Sequence, residues 1–258
     1  MKVVKGLNEY GGNLISSEAD YQDVNVSFVG TGNKLILVGN QDLKKLNINF
    51  PSDDGVCIVG HGGNFSGRIR VGYKCLVLIG EGVTCTMPLI LFTAEETVCI
   101  VGDDCMFASE NQIRTEDSHA IYDTLTGERL NHSRDILIGR HVWVADRAII
   151  LSGSQVGCGS TVGIASVVKG RLPNNTVSVG APAGVIKRNA VWERDNIAFS
   201  QPWIRNSVFD EGVCRSEELY RETDDERSVV SIGKLAYNLL KNNEQYFDVA
   251  RLEKLVRP

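Results

Sequence analysis

The stretch Ile136–Val168, "ILIGRHVWVADRAIILSGSQVGCGSTVGIASVV", decides the fold. Ile138, Val144, Ile150, Val156, Val162 and Val168 fall six residues apart without a break. Four residues after the first five come Val142, Ala148, Ser154, Ser160 and Ser166, and Gly139, Ala145, Gly157 and Gly163 directly follow four of the six. A strict six-residue register matches neither an α-helix nor the two-residue alternation of a long strand. It predicts one short strand and one tight corner per unit, with the aliphatic side chain pointing inward. Three units make a triangular coil of about 18 residues. Coils stack like on like, as in other solenoids.

Upstream, the same idea is written with a longer period. LILVGN (35–40), VCIVGH (56–61), LVLIGE (76–81), VCIVGD (98–103) and DILIGR (135–140) are near copies. Their glycines, Gly39, Gly60, Gly80, Gly102 and Gly139, lie 21, 20, 22 and 37 residues apart. The first three intervals predict coils with longer corners, and the last a hidden or interrupted copy. Glycines supply turns that other residues resist. An antiparallel barrel or sandwich would show longer two-residue alternation. Gly and β-branched residues argue against helix over 35–188.

The totals set bounds. The 258 residues carry a formal net charge of −5, which does not suit a general nucleic-acid binder. No apolar run approaches the roughly 20 residues needed to cross a bilayer, and Met1–Tyr10 has no apolar signal core. The seven cysteines are odd in number, lie in apolar or small-residue stretches and form no CxxC pair. They read as reduced, mostly buried thiols. Three regions are expected: 1–34 as an N-terminal cap or first coil, 35–188 as the β-helix, and 189–258 as a partly helical extension. Ser228–Val256 carries Ile232, Leu235, Leu239 and Leu240 at helical spacing.

One segment breaks the register. Residues 114–135 include "RTEDSHAIYD", "LTGER" and "LNHSRD". A polar insertion in a solenoid is a loop, and such loops carry function. His119, Asp117, Tyr122, Asn131 and His132 lie there. Histidine changes charge near neutral pH, so a positioned imidazole can take the proton of an attacking hydroxyl. Asp117 is a candidate to orient that ring. Trp143, in an outward position of its hexapeptide, offers an aromatic surface. His141 reads as a surface or interface residue; His132 and His61 read as structural. Arg147–Trp192 has no Asp or Glu but includes Arg147, Lys169, Arg171, Lys187 and Arg188, cations able to meet phosphates.

The segment "IRTEDSHAIYD…LN…ILIGRHVWV" resembles the active-site segment of the hexapeptide-repeat O-acetyltransferases. The nearest likeness is to bacterial capsule-modifying and polysialic acid O-acetyltransferases, and it is strongest over roughly 98–192. The resemblance implies an all-β solenoid, a left-handed parallel β-helix with an extruded active-site loop. It implies transfer of acetyl from acetyl-CoA to a carbohydrate hydroxyl, in a cytoplasmic homotrimer peripheral to capsule synthesis, without a metal. The expected catalytic residues are His119, Trp143 and Asp117. Trp143, Lys169, Arg171, Gly180, Ala181, Pro182, Lys187 and Arg188 are expected to bind the cofactor, with "VGAPAGVIKR" ending the coil. Tyr122 is expected at the acceptor, and Asn131 either at the acceptor or fixing the loop. Ala145 and Asp146 depart from the commoner Gly and neutral residue. The alternatives are N-acetyl transfer to a nucleotide sugar, serine acetylation, a zinc hydratase on the same fold, or a non-catalytic scaffold. Four histidines, with His61 far from the rest, weigh against zinc.

Overall fold

Each six-residue unit after Ile136 forms a strand of two or three residues and then a corner. The computed structural model describes residues 1–39 and 42–198. Successive strands enter three different sheets and pair in parallel one coil later: Leu137 with Gln155, Trp143 with Thr161, Ile149 with Val167. The result is a three-sided parallel β-solenoid with an eight-stranded, a six-stranded and a nine-stranded face. Ile138, Val144, Ile150, Val156, Val162 and Val168 line its interior, all at 0% exposure.

The upper coils differ for a local reason. Strands Lys34–Leu37, Val56–Val59, Leu76–Ile79 and Val98–Val101 stack in parallel on the nine-stranded face. Between the first three run the longer strands Asp42–Phe50 and Asn64–Arg70 of the eight-stranded face. The six-stranded face begins only at Thr84–Cys85. On the nine-stranded face both sets of side chains are buried. Leu35, Cys57, Val77 and Cys99 point to the main core, while Ile36, Ile58, Leu78 and Ile100 form a second cluster. That is why these strands read as continuous apolar runs.

The interval of 37 between Gly102 and Gly139 is a single coil. Val98–Val101 pairs directly with Ile136–Ile138, so no copy is hidden there; the excess is the loop between Arg114 and Ile136. Gly102 and Gly139 are required by stacking and not by conformation, since neither has a positive φ. A Cβ on Gly102 would sit 2.6 Å from the Arg140 nitrogen one coil on.

Both ends of the stack close with antiparallel pairs. Gly6–Tyr10 folds on Asn13–Ser17, which starts the parallel series, and Lys2–Val3 pairs with Tyr21–Phe28. At the other end Thr176–Gly180 pairs with Ala183–Arg188. Among the described residues there is no helix. The helical expectation for Ser228–Val256 falls outside the described residues. Cys57, Cys75, Cys85, Cys99, Cys105 and Cys158 are buried thiols outside any disulfide.

Candidate active site

The loop 115–135 leaves the prism at the edge between the eight- and nine-stranded faces. Its base is tied down by charge. The buried Glu116 carboxylate pairs with Arg70, lies 3.8 Å from Arg114, and accepts from the Ser118 N–H. Glu95, on the preceding coil, pairs with Arg129 and accepts from the Ser133 N–H at 2.9 Å. Hydrogen bonds from Arg129 and Ser133 hold the Glu95 carboxyl down at about 2. Arg134 N–H donates to Ser152 Oγ at 2.9 Å. The loop thus stands on four consecutive coils.

Asn131 organises the middle of the loop. Its Oδ1 accepts from Ile121 N–H at 2.7 Å, and its Nδ2 donates to the His119 carbonyl at 2.8 Å and to Asp117 Oδ2 at 3.1 Å. The tip is a turn in which Asp123 accepts from Thr126 and Leu125 N–H groups, which hold its carboxyl below the usual range. The backbone at Ser118 is left-handed, φ 64°, directly before His119. Strain of this kind persists where surroundings over-determine it. His119 is exposed, with its main chain clamped and its imidazole unpartnered among the described residues.

One expected contact takes a different form. The Asp117 carboxylate engages Asn131 and makes no hydrogen bond to the His119 ring; two-residue spacing at this turn leaves Asp117 O accepting from His119 N–H instead, at 2.8 Å. Asn131 acts as the loop's clamp, its amide consumed by Ile121, His119 and Asp117. Tyr122 is 60% exposed and bridges Arg129 through the backbone. Asp146 caps a neighbouring corner, accepting from Ser109 N–H at 3.0 Å.

His141, read as a surface or interface residue, is not on the surface: it is buried within the chain. After the terminal hairpin the chain doubles back along the edge between the nine- and six-stranded faces. Ala190 N–H donates to Asn175 O, and Trp192 stacks on the His141 ring with centroids 4.3 Å apart. Trp192 Nε1 donates to His141 O at 2.8 Å. His141 Nδ1 lies 2.6 Å from Asp104 Oδ2, and Nε2 lies 3.0 Å from Trp192 O. Each nitrogen faces an acceptor, so both bonds form when the ring carries both protons. Arg194 then reaches Asp104 Oδ1 at 2.5 Å, Thr84 Oγ1 at 2.9 Å and Gly82 O at 3.1 Å. Burial raises the Asp104 carboxyl, but hydrogen bonds from His141 and Arg194 bring it below its usual range. Sequence reasoning missed Trp192 and Arg194 as structural groups, because an aromatic in an irregular segment carries no periodic signal.

Trp143 is half-buried on the six-stranded face, its ring 6.2 Å from Trp192. The expected site residues therefore fall into two groups. His119, Asp117, Tyr122, Asn131, Lys169 and Arg171 belong to the edge between the eight- and nine-stranded faces. Trp143, Gly180, Ala181, Pro182, Lys187 and Arg188 belong to the six-stranded face and its hairpin. In a three-sided prism an edge lies opposite a face, and the body of the solenoid separates the two groups. Lys169, Arg171, Lys187 and Arg188 are exposed. Among the described residues no group of three or more His, Cys, Asp and Glu side chains is arranged to hold a metal ion.

No protein-family model matches the chain. It is 32% identical to the polysialic acid O-acetyltransferase of Escherichia coli O1:K1 / APEC over 122 residues, 47% of this chain and 39% of that relative. It is 40% identical to the polysialic acid O-acetyltransferase of Neisseria meningitidis over 102 residues, 39% of this chain and 47% of that relative. The matches thus span less than half of these relatives' own length. The crystal structure of the polySia-specific acetyltransferase NeuO superposes with a TM-score of 0.65 at 29% identity, covering 74% of this chain and 91% of that one. The polysialic acid O-acetyltransferase OatWY shares the fold, with a TM-score of 0.52 at 24% identity over 69% of this chain and 90% of that one. By its six-residue stacking and these likenesses, the chain shares its fold with NeuO and is similar in part of its sequence to the polysialic acid O-acetyltransferases.

Proposed function

We propose that the protein transfers acetyl from acetyl-CoA to a sugar hydroxyl of a capsular polysaccharide such as polysialic acid, with His119 as the general base. The observation that carries this is the exposed His119 imidazole on a loop whose main chain is clamped to a rigid wall. A bound acetyl-CoA would supply the acetyl group as an activated thioester. His119 takes the proton of the attacking hydroxyl and holds it for the leaving sulfur, an effect worth about 10²–10⁴-fold in rate. Exposed Lys169, Arg171, Lys187 and Arg188 suit the phosphates of the donor, and Trp143 suits its acyl arm or the sugar ring.

The opposed placement of His119 and Trp143 supports a site shared between copies. The edge of one prism meets the six-stranded face of the next, as a closed homotrimer would arrange three times over. The location we assign is the bacterial cytoplasm, beside the capsule-synthesis machinery. The relatives' names support the reaction class.

The test uses the purified full chain, labelled acetyl-CoA and a panel of polysaccharides. The expected product is a hydroxylamine-labile ester, and His119→Ala should lower the rate by at least about 100-fold. Full activity in that variant, or an amide product, would refute the proposal. Mixing His119→Ala with Trp143→Ala protein should restore part of the activity if copies share the site.

A further inference from the structure

We infer that the outer surface of the eight-stranded face is a binding track for an acidic polysaccharide, leading toward the loop that holds His119. The inference deepens the acetyl-transfer reading and rests on it for the track's role. Strand register fixes the layout. Asn25, Asn47, Arg68, Ile90 and Gln112 stack in one column. Ser27, Asn49, Arg70, Phe92 and Arg114 stack in the next. The residues between them, Ile69 and Leu91 among them, point into the core. At about 4.8 Å per coil, five rows make a track about 20 Å long.

Its lower half is cationic. Three guanidinium groups gather on the ring of Phe92, with Arg70 at 4.4 Å, Arg114 at 4.9 Å and Arg68 at 5.3 Å from the centroid. Glu116 serves Arg70 and Arg114. Arg68 is exposed and has no acidic partner among the described residues. Three cations against one carboxylate leave a local charge of +2, in a chain whose net charge is −5. Like charges this close repel, and the ring face offsets only part of that. An anionic occupant supplies the remainder.

The upper half identifies the occupant as a glycan. Asn25 Nδ2 donates to Asn47 Oδ1 at 3.2 Å and Asn49 Nδ2 to Ser27 Oγ at 2.7 Å, a ladder of amide and hydroxyl groups suited to sugar hydroxyls and carboxylates. The one aromatic ring is already engaged by guanidiniums, which leaves no stacking platform for nucleic-acid bases. The track ends at Arg114, and Thr115 begins the loop of His119.

The test titrates the full chain, without acetyl-CoA, with polysialic acid, neutral dextran and a single-stranded oligonucleotide, at about 50 and 200 mM salt. Polysialic acid should bind and weaken as salt rises, dextran should not bind, and Arg68→Gln should weaken polysialic acid about tenfold, with Arg68→Glu worse. Unchanged affinity in Arg68→Glu, equal binding of dextran, or tighter binding of the oligonucleotide would overturn the inference. Arg68 is exposed, so thermal stability should not move and a folding defect is not confounded with binding. Acetylation assays separate the two proposals. Arg68-dependent binding in a protein that transfers no acetyl group sinks the activity alone. Transfer whose polymer KM is the same in Arg68→Glu sinks the track alone.

Discussion

Replacing Gly139 by Ala tests whether the repeat glycines serve stacking or conformation. The added Cβ would meet the Cys158 nitrogen at 2.5 Å, its Cα at 2.7 Å and its Sγ at 2.8 Å. Ordinary contact starts at 3.4 Å, so the methyl group is about 0.9 Å too close to backbone that cannot swing aside. The two coils must part locally, which strains the bond from Gly139 N–H to Val156 O, now 2.7 Å. Overpacking of this kind costs about 1–3 kcal/mol, and a buried hydrogen bond left unmade costs about 1–3 more. We expect a net loss of about 3 kcal/mol. Gly170→Ala is the control. Gly170 has φ 98° and open space around its Cβ position, so only backbone strain of about 1–2 kcal/mol is expected there. Urea unfolding of both variants gives the comparison. If Gly170→Ala proved the more destabilising, the stacking argument would fail.

Trp192→Ala should free the segment that lies along the coil edge, through loss of the His141 stack and the Nε1 hydrogen bond. Limited proteolysis should then cut within 189–198 while the coils resist; an unchanged digest would count against the docking role. Glu95 has its carboxyl lowered from 4.5 to about 2, so the stabilisation it gives is present above pH about 4.5 and fades as pH falls toward 2. Protection of the amides in the loop 115–135, taken relative to the intrinsic exchange rate at each pH, should therefore fall over that window in wild type, whereas Glu95→Gln should show low protection at every pH. Burial pushes the Cys57 and Cys85 thiols up to about 12 and raises Cys99 and Cys105 as well. None of these four should react with iodoacetamide in the native protein at pH 8, and rapid labelling of any of them would contradict the burial.

Much of the fold was legible because its cause is local. An aliphatic residue every sixth position can be buried only if the chain turns a corner between each pair. The run from Ile138 to Val168 therefore specifies three faces and an 18-residue coil without help from distant residues. The break at the loop was legible for the same reason, since it is where that pattern stops. The longer interval before Gly139 was read as a hidden or interrupted copy, and only the pairing of Cys99 with Ile136 decided between them.

The site was legible in part. His119 declared itself by chemistry and by the broken register. Its surroundings did not. Asn131 rather than Asp117 shapes the turn, a matter of which side chain reaches which carbonyl once the loop is closed.

What the sequence by itself determined is the repeating unit: the inward aliphatics, the glycine corners, the extruded loop and the histidine within it. What only the tertiary structure decided is where separate coils bring residues relative to one another. His141 looks outward in its own hexapeptide, yet Trp192, 51 residues later, covers it. Arg194 reaches Gly82 across 112 residues. His119 and Trp143, 24 residues apart in sequence, stand on opposed sides of the prism. Periodicity reports which way a side chain points from its own strand. It is blind to a segment that returns over that strand after several turns of the coil, because the contact belongs to the stacked whole and to no single repeat.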